Sequence, residues 1–223
     1  MKKKLFTVFM ICTLVLCFTG CDLFKKTETK NNDNTETKES TDKKSVSKDP
    51  LNDNSSYYVI IKGTKFSVGD KLSTLSKVGL RQDSRVLEET VRSNTYLIGA
   101  GSIYDSNNKD VLSMTPYNPG SSSITVKEAV FGSIEAGSYE YGRIGQEVLD
   151  LDLEFVGGIK FGSTLEDVEK VFGTTDDVYE ASSLGYKVYT YRSEKNYRNF
   201  VFTIDKDGKV SKIGFQNLVF NEK

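Results

Sequence analysis

The chain contains no histidine. That excludes imidazole-bound zinc, Ser–His and Cys–His nucleophile pairs and histidine general bases, so catalysis would have to run on carboxylates, lysine, tyrosine or serine alone. Cysteine is nearly as scarce: Cys12, Cys17 and Cys21 all lie at the start of the chain, and none follows. A chain that begins at Cys21 has one thiol and cannot form an internal disulfide. Long apolar runs are also missing. The nearest approach, Leu5 to Phe18, is about 14 residues against the ~20 needed to span a bilayer. Nor is there an excess of basic charge. With 30 Lys and Arg against 31 Asp and Glu, the chain lacks the basic footprint of a nucleic-acid binder.

What is present at the start is Lys2, Lys3 and Lys4 ahead of the short apolar run, the pattern of an export signal. The run ends at Phe18-Thr19-Gly20-Cys21, where a small residue precedes a cysteine. These residues resemble the lipobox of bacterial lipoproteins, with Phe18 where that family usually has Leu. The resemblance implies a signal peptide over residues 1–20 and attachment of a diacylglyceryl group, carrying palmitate-type chains, to Cys21. Two acyl chains anchor a protein stably where one does not. The expected location is therefore the extracytoplasmic face of the cell membrane.

Between Cys21 and Ser56 the chain is rich in Lys, Thr, Asn, Asp, Glu and Ser, and beyond Phe24 its apolar residues are Val46, Pro50 and Leu51. It has too little apolar surface to offset the entropy of ordering, and residues 21–56 are expected to form a disordered tether.

The remaining 57–223 stretch shows an internal similarity. Gly63-Thr64-Lys65-Phe66 matches Gly158-Ile159-Lys160-Phe161 at an offset of 95. Beyond it, Leu72, Leu75 and Val78 correspond to Leu165, Val168 and Val171 at an offset of 93, and Gly79 and Gly173 close the two copies. Duplication predicts a first unit over 57–146 and a second over 147–223. In the second, Leu149, Leu151, Leu153 and Phe155 alternate with Asp150, Asp152 and Glu154, which predicts a strand over Val148–Phe155. Gly157-Gly158 turns the chain, and Ser163 with Glu166 forms a capping-box pattern ahead of a helix stopped by Gly173. Strands are predicted over Tyr186–Arg192, Tyr197–Ile204 and Lys209–Asn217, with Asp207-Gly208 as a tight turn. In the first unit they are predicted near Val91–Gly99, Val111–Tyr117 and Ile124–Ile134, with Tyr117-Asn118-Pro119-Gly120 as a turn and a bulge near Gly132. The expected class is α+β, with each unit a short helical segment packed on an antiparallel sheet.

The run from Gly158 to Gly173, with the strands after it, resembles the repeat of Gram-positive lipoproteins of uncharacterised function. More remotely, it resembles beta-lactamase inhibitory protein and the small outer-membrane assembly lipoproteins. The resemblance implies two tandem units that present a concave sheet face. It covers the second unit better than the first, and the disulfides of beta-lactamase inhibitory protein have no counterpart here.

Few residues specify chemistry. Asp205-Lys206-Asp207-Gly208-Lys209 has Lys209 at the fifth position of a would-be calcium loop and Gln216 at the twelfth, so it reads as a turn. The glycines from Gly63 to Gly69 do not have phosphate-loop spacing. Asp150, Asp152 and Glu154 read as a solvated strand face. No catalytic residue, metal site or cofactor is expected, and the chain is not read as an enzyme. The feature that leans toward binding is tyrosine: Tyr186, Tyr189, Tyr191 and Tyr197 are candidates for an exposed contact surface, a low-entropy way to present contact area to a partner. The expected function is a membrane-anchored interaction module for a protein or peptide. The alternatives are a cell-envelope enzyme using carboxylate or Ser–Lys chemistry and a structural factor in envelope assembly.

Overall fold

A computed structural model describes residues 49–194 and 197–218. The expected signal peptide, the lipidation site Cys21 and the tether as far as residue 48 lie outside the described residues. The last part of the tether departs from expectation, because 49–56 is folded. Asp53 caps a 3-10 turn at Asn54–Ser56, Leu51 packs on the core, and the Tyr57 hydroxyl donates to the Leu51 carbonyl at 2.7 Å. The described residues all belong to one unit that runs from Lys43 to Lys223.

β1 (Tyr58–Ile61) and β2 (Thr64–Ser67) form a hairpin. Its turn residues Lys62 and Gly63 both have positive φ, as a two-residue turn between twisted strands requires. The segment after it, Leu72–Val78, is a 3-10 helix with Leu72, Leu75 and Val78 buried. A spacing of three suits that geometry because residues i and i+3 eclipse in it.

β3 (Arg81–Gln82), β4 (Thr90–Val91) and β5 (Thr95–Tyr96) are short. The single strand expected over Val91–Gly99 is thus broken, and Asn94, at φ 54°, marks the break. β6 (Ser102–Tyr104) pairs with β7 (Asp110–Asn118). The strand expected over Ile124–Ile134 is divided into β8 (Ile124–Thr125), a 3-10 turn at Val126–Glu128 and β9 (Val130–Gly137). Thr125 and Glu128 form a capping box there, which stabilises a turn where continuous extension was expected. The predicted bulge is present. Thr115 pairs with Ser133 and Pro116 with Phe131, leaving Gly132 as the extra residue.

The predicted strand Val148–Phe155 is mostly absent. Its start belongs to a helical turn, α1 (Gln146–Leu149), and Asp152 has φ 45°, so only β10 (Glu154–Phe155) is paired. Burial still alternates, with Leu151, Leu153 and Phe155 inside. The apolar period therefore reported which side chains are buried but not a ladder.

The cap of α2 (Leu165–Phe172) is Thr164, one residue later than the predicted Ser163. Thr164 accepts from the Asp167 N–H at 3.2 Å, and the Asp167 carboxylate accepts from the Thr164 N–H at 3.0 Å. Ser163 instead accepts from the Lys160 N–H. Four strands follow: β11 (Val178–Ala181), β12 (Tyr186–Arg192), β13 (Arg198–Ile204) and β14 (Val210–Asn217). The last turn is wider than a two-residue hairpin. The Asp205 carboxylate accepts from the N–H groups of Asp207 and Lys209, and the Asp205 N–H donates to the Lys209 carbonyl.

The fold is predominantly antiparallel sheet, with short helical segments at its margins. A nine-stranded sheet has the order β11-β12-β13-β14-β9-β7-β6-β3, with β5 also on β7; a smaller sheet has the order β10-β1-β2, and β4 pairs with β8. The two predicted units meet through the β14–β9 ladder, so they share one sheet and are not separate domains. One side of this sheet is covered by aromatic packing. The Tyr57 ring stacks on Phe200 at 4.7 Å, Phe155 meets Phe215 at 6.1 Å, and Phe172 of α2 lies 5.2 Å from Tyr191 and 5.5 Å from Phe202.

Candidate functional site

The pleat sends alternate side chains to the other side of the sheet. There β13 presents Asn199 and Val201, β14 presents Lys212 and Gln216, and β9 presents Ser133 and Glu135, all half-buried or exposed. Thr115, Ser133, Gln216, Asn199 and Arg192 stand directly opposite one another across five strands. This open face mixes uncharged polar residues with the charged side chains of Glu135, Lys212 and Arg192, and Lys212 pairs with Glu135 and Arg192 with Asp177.

The four candidate tyrosines do not form one surface. Tyr189 and Tyr191 lie on the core side of β12. Tyr191 is buried, against expectation, and its hydroxyl has no hydrogen-bond partner among the described residues. Its neighbours on that side, Phe172 and Phe202, seal it from solvent, and burial pushes its phenol up to about 12, with Glu169 and Tyr189 acting in the same direction. It cannot touch a partner. Tyr197 is exposed but sits at the far end of the β12–β13 hairpin from Tyr186. Tyr186 faces the open side.

Around Tyr186 the structure assembles residues that strand periodicity did not select. Tyr139, just past β9, stacks on Tyr186 with ring centroids 4.7 Å apart. Tyr179 on β11 lies opposite Val188, on the same face as Tyr186, and is 64% exposed. Lys212 Nζ sits 4.6 Å over the Tyr139 ring and 2.8 Å from a Glu135 oxygen. Burial acts to lower the Lys212 pKa, but the hydrogen bond and charge of Glu135, assisted by Tyr139, outweigh it and leave the pKa raised. Lys212 thus remains charged and braces Tyr139 from one side while Tyr186 supports it from the other. The result is an aromatic platform held by ring stacking on one side and by a lysine cation on the other. The alternation in β14 could have identified Lys212, since Ile213 and Phe215 point the other way. Nothing in the local pattern at Gly137-Ser138-Tyr139 could have placed Tyr139.

Beside the platform, between the turns after β11 and β13, is a cavity of about 470 Å³ lined by Tyr186, Tyr189, Glu180, Lys187 and Lys206. Its charges are already paired, Lys187 with Glu180 at 3.1 Å and Lys206 with Glu140 at 3.3 Å. The carboxylates on the expected strand face are likewise engaged: Asp150 accepts from Gln146 at 2.7 Å, and Lys160 lies 3.7 Å from Asp152 and 3.4 Å from Glu154. Among the described residues no group of three or more His, Cys, Asp or Glu is placed to hold a metal ion. No helix among them is long and apolar enough to cross a membrane. Comparison of the chain with protein families, with curated proteins and with solved structures returns no match.

Proposed function

We propose that this chain is a lipoprotein, anchored through Cys21 at the extracytoplasmic face of a membrane, whose folded part binds a protein or peptide on the open face of its sheet. The observation that carries the binding reading is the braced platform of Tyr139, Tyr186 and Lys212 with Tyr179 exposed beside it. Tyrosines held on a rigid sheet supply large contact area at low entropic cost.

The tandem-unit reading belongs to the same proposal. Read from either edge, the large sheet runs through four strands of one half and then, in reverse, four of the other: β3, β6, β7, β9, then β14, β13, β12, β11. The offset that brings Gly63 onto Gly158 carries Val59 to Glu154 and Phe155 to Ile60. Val59–Phe155 and Ile60–Glu154 are the two pairs of the β1–β10 ladder. A duplicated unit related to its copy by a local two-fold axis accounts for both relationships.

The binding test is a photo-crosslinking residue in place of Tyr179 in the full chain, on whole cells, with and without Tyr139→Ala and Tyr186→Ala. A discrete adduct that disappears in the double variant is expected. An adduct of equal yield in both backgrounds, or none in either, overturns this face as the binding surface. For the anchor, Cys21→Ala is expected to abolish incorporation of labelled fatty acid; retained label overturns it.

A further inference from the structure

The half of the open face remote from the tyrosine platform holds a second cavity, of about 400 Å³, that the binding reading above does not use. Its lining includes Ser102, Ser113, Thr115 and Gln216 from three strands, with Tyr96 and Ile98 as a wall. None of its lining residues is charged. The volume lies in the range of small-molecule sites, roughly 300–1,000 Å³.

The hydrogen-bonding capacity there is mixed and partly unspent. Thr115 Oγ1 accepts from Ser133 Oγ at 2.7 Å, which leaves its own O–H to donate. Ser102 Oγ donates to Asp110 at 2.9 Å, which leaves its lone pairs to accept. The side chains of Ser113 and Gln216 make no hydrogen bond among the described residues, and the Gln216 amide can both donate and accept. Gly101 keeps the floor open, since a Cβ there would lie 2.7 Å from Ser113 Oγ and 3.0 Å from the Met114 carbonyl oxygen. Ile98 is 81% exposed at the rim.

We propose that this trough is a binding site for a neutral oligosaccharide. A sugar has hydroxyls that both donate and accept around its ring, no charge to compensate, and apolar C–H faces that suit the Tyr96 and Ile98 wall. An extended peptide that binds by pairing its main chain with a strand is less well matched. The trough lies on a sheet face whose backbone groups are committed to ladders between β6, β7, β9 and β14, so a peptide main chain finds no free edge to pair with.

The test is a titration of the full chain with cellotriose, maltotriose and the trimer of N-acetylglucosamine, followed by calorimetry and by the backbone amide signals of Gly99, Gly101, Ser113 and Thr115. An uncharged hexapeptide of alternating glycine and serine serves as the competing ligand. At least one trimer is expected to bind and to shift these amides. Ser113→Ala with Gln216→Ala should weaken that binding about tenfold, through two lost hydrogen bonds, while Tyr179→Ala leaves it unchanged. The proposal is overturned if no trimer shifts these amides, if the hexapeptide alone does, or if the double variant binds as the parent does. Tyr179 lies on the other half of the sheet, so loss of the platform and loss of the trough are read separately.

Discussion

The Phe172 ring, at the last position of α2, lies 4.8 Å from the Phe200 ring at the centre of β13. A helix of eight residues is too short to persist alone in water, so this contact and those to Tyr191 and Phe202, together with the buried Val168, hold it on the sheet. Phe172→Ala is expected to cost about 3 kcal/mol, the lower end of the Phe-to-Ala range because the ring is only half-buried. Chemical denaturation measures it. A loss below about 0.5 kcal/mol, the size of an ordinary surface change, would mean that Val168 and the other apolar residues of α2 hold it without Phe172.

Tyr191 gives a prediction of the opposite sign. Its buried hydroxyl lacks a partner among the described residues, and an unsatisfied buried polar group costs about 1–3 kcal/mol. Tyr191→Phe keeps the ring contacts and removes that group, so stability should be equal or higher by roughly 1 kcal/mol. The alkaline limb should also change. The phenol is raised from 10.0 to about 12 in the folded state. Above the unfolded value the unfolded chain gives up its proton while the folded chain keeps it, so stability falls between pH 10 and about 12. Denaturation midpoints across that window should fall less steeply in Tyr191→Phe than in the parent.

The same residue marks the limit of what the sequence could tell. The three long strands of the second half were legible because β-branched and aromatic residues run between strong turn signals, and β12 has the bounds predicted for it. Which side of β12 would be covered was not legible, because Lys187, Tyr189 and Tyr191 offer no apolar alternation against Tyr186, Val188 and Thr190. The choice is made by Phe172, which comes from another element. Short strands such as β3 and β6 left no pattern, since two or three residues carry no period. The platform was hidden for a related reason. Tyr139 and Tyr186 are distant in sequence and are brought together by the β14–β9 ladder, which joins the halves.

At the other end of α2, the cap is Thr164 rather than Ser163. Thr164→Ala should cost about 1 kcal/mol, whereas Glu166→Gln, at the position first expected to complete the box, should cost a few tenths. The Asp167 carboxyl is held below the usual carboxylate range by the Thr164 N–H, with the Thr164 hydroxyl and Lys170 assisting. Its contribution is therefore present above the ordinary carboxylate value and lost as pH falls through the depressed one. Asp167→Asn should make the acid limb shallower. An unchanged limb would remove Asp167 from the cap.

Gly132 sits at the bulge between β7 and β9, and a Cβ built there would overlap the Leu218 Cδ2 and lie 3.1 Å from the Tyr117 Cβ. Leu218 is 2% exposed and has little room to retreat. Gly132→Ala is thus an overpacking change, expected to cost about 1–3 kcal/mol. Leu218→Ala alone opens a void and should cost about 2–5 kcal/mol. In the double variant the new methyl enters the space that the leucine vacates, so the loss should be smaller than the sum of the single losses by at least about 0.5 kcal/mol. Urea denaturation of the four proteins closes the cycle. Strict additivity would show that close approach of Leu218 is not what requires glycine at the bulge, and the unpaired backbone of residue 132 would then carry the constraint.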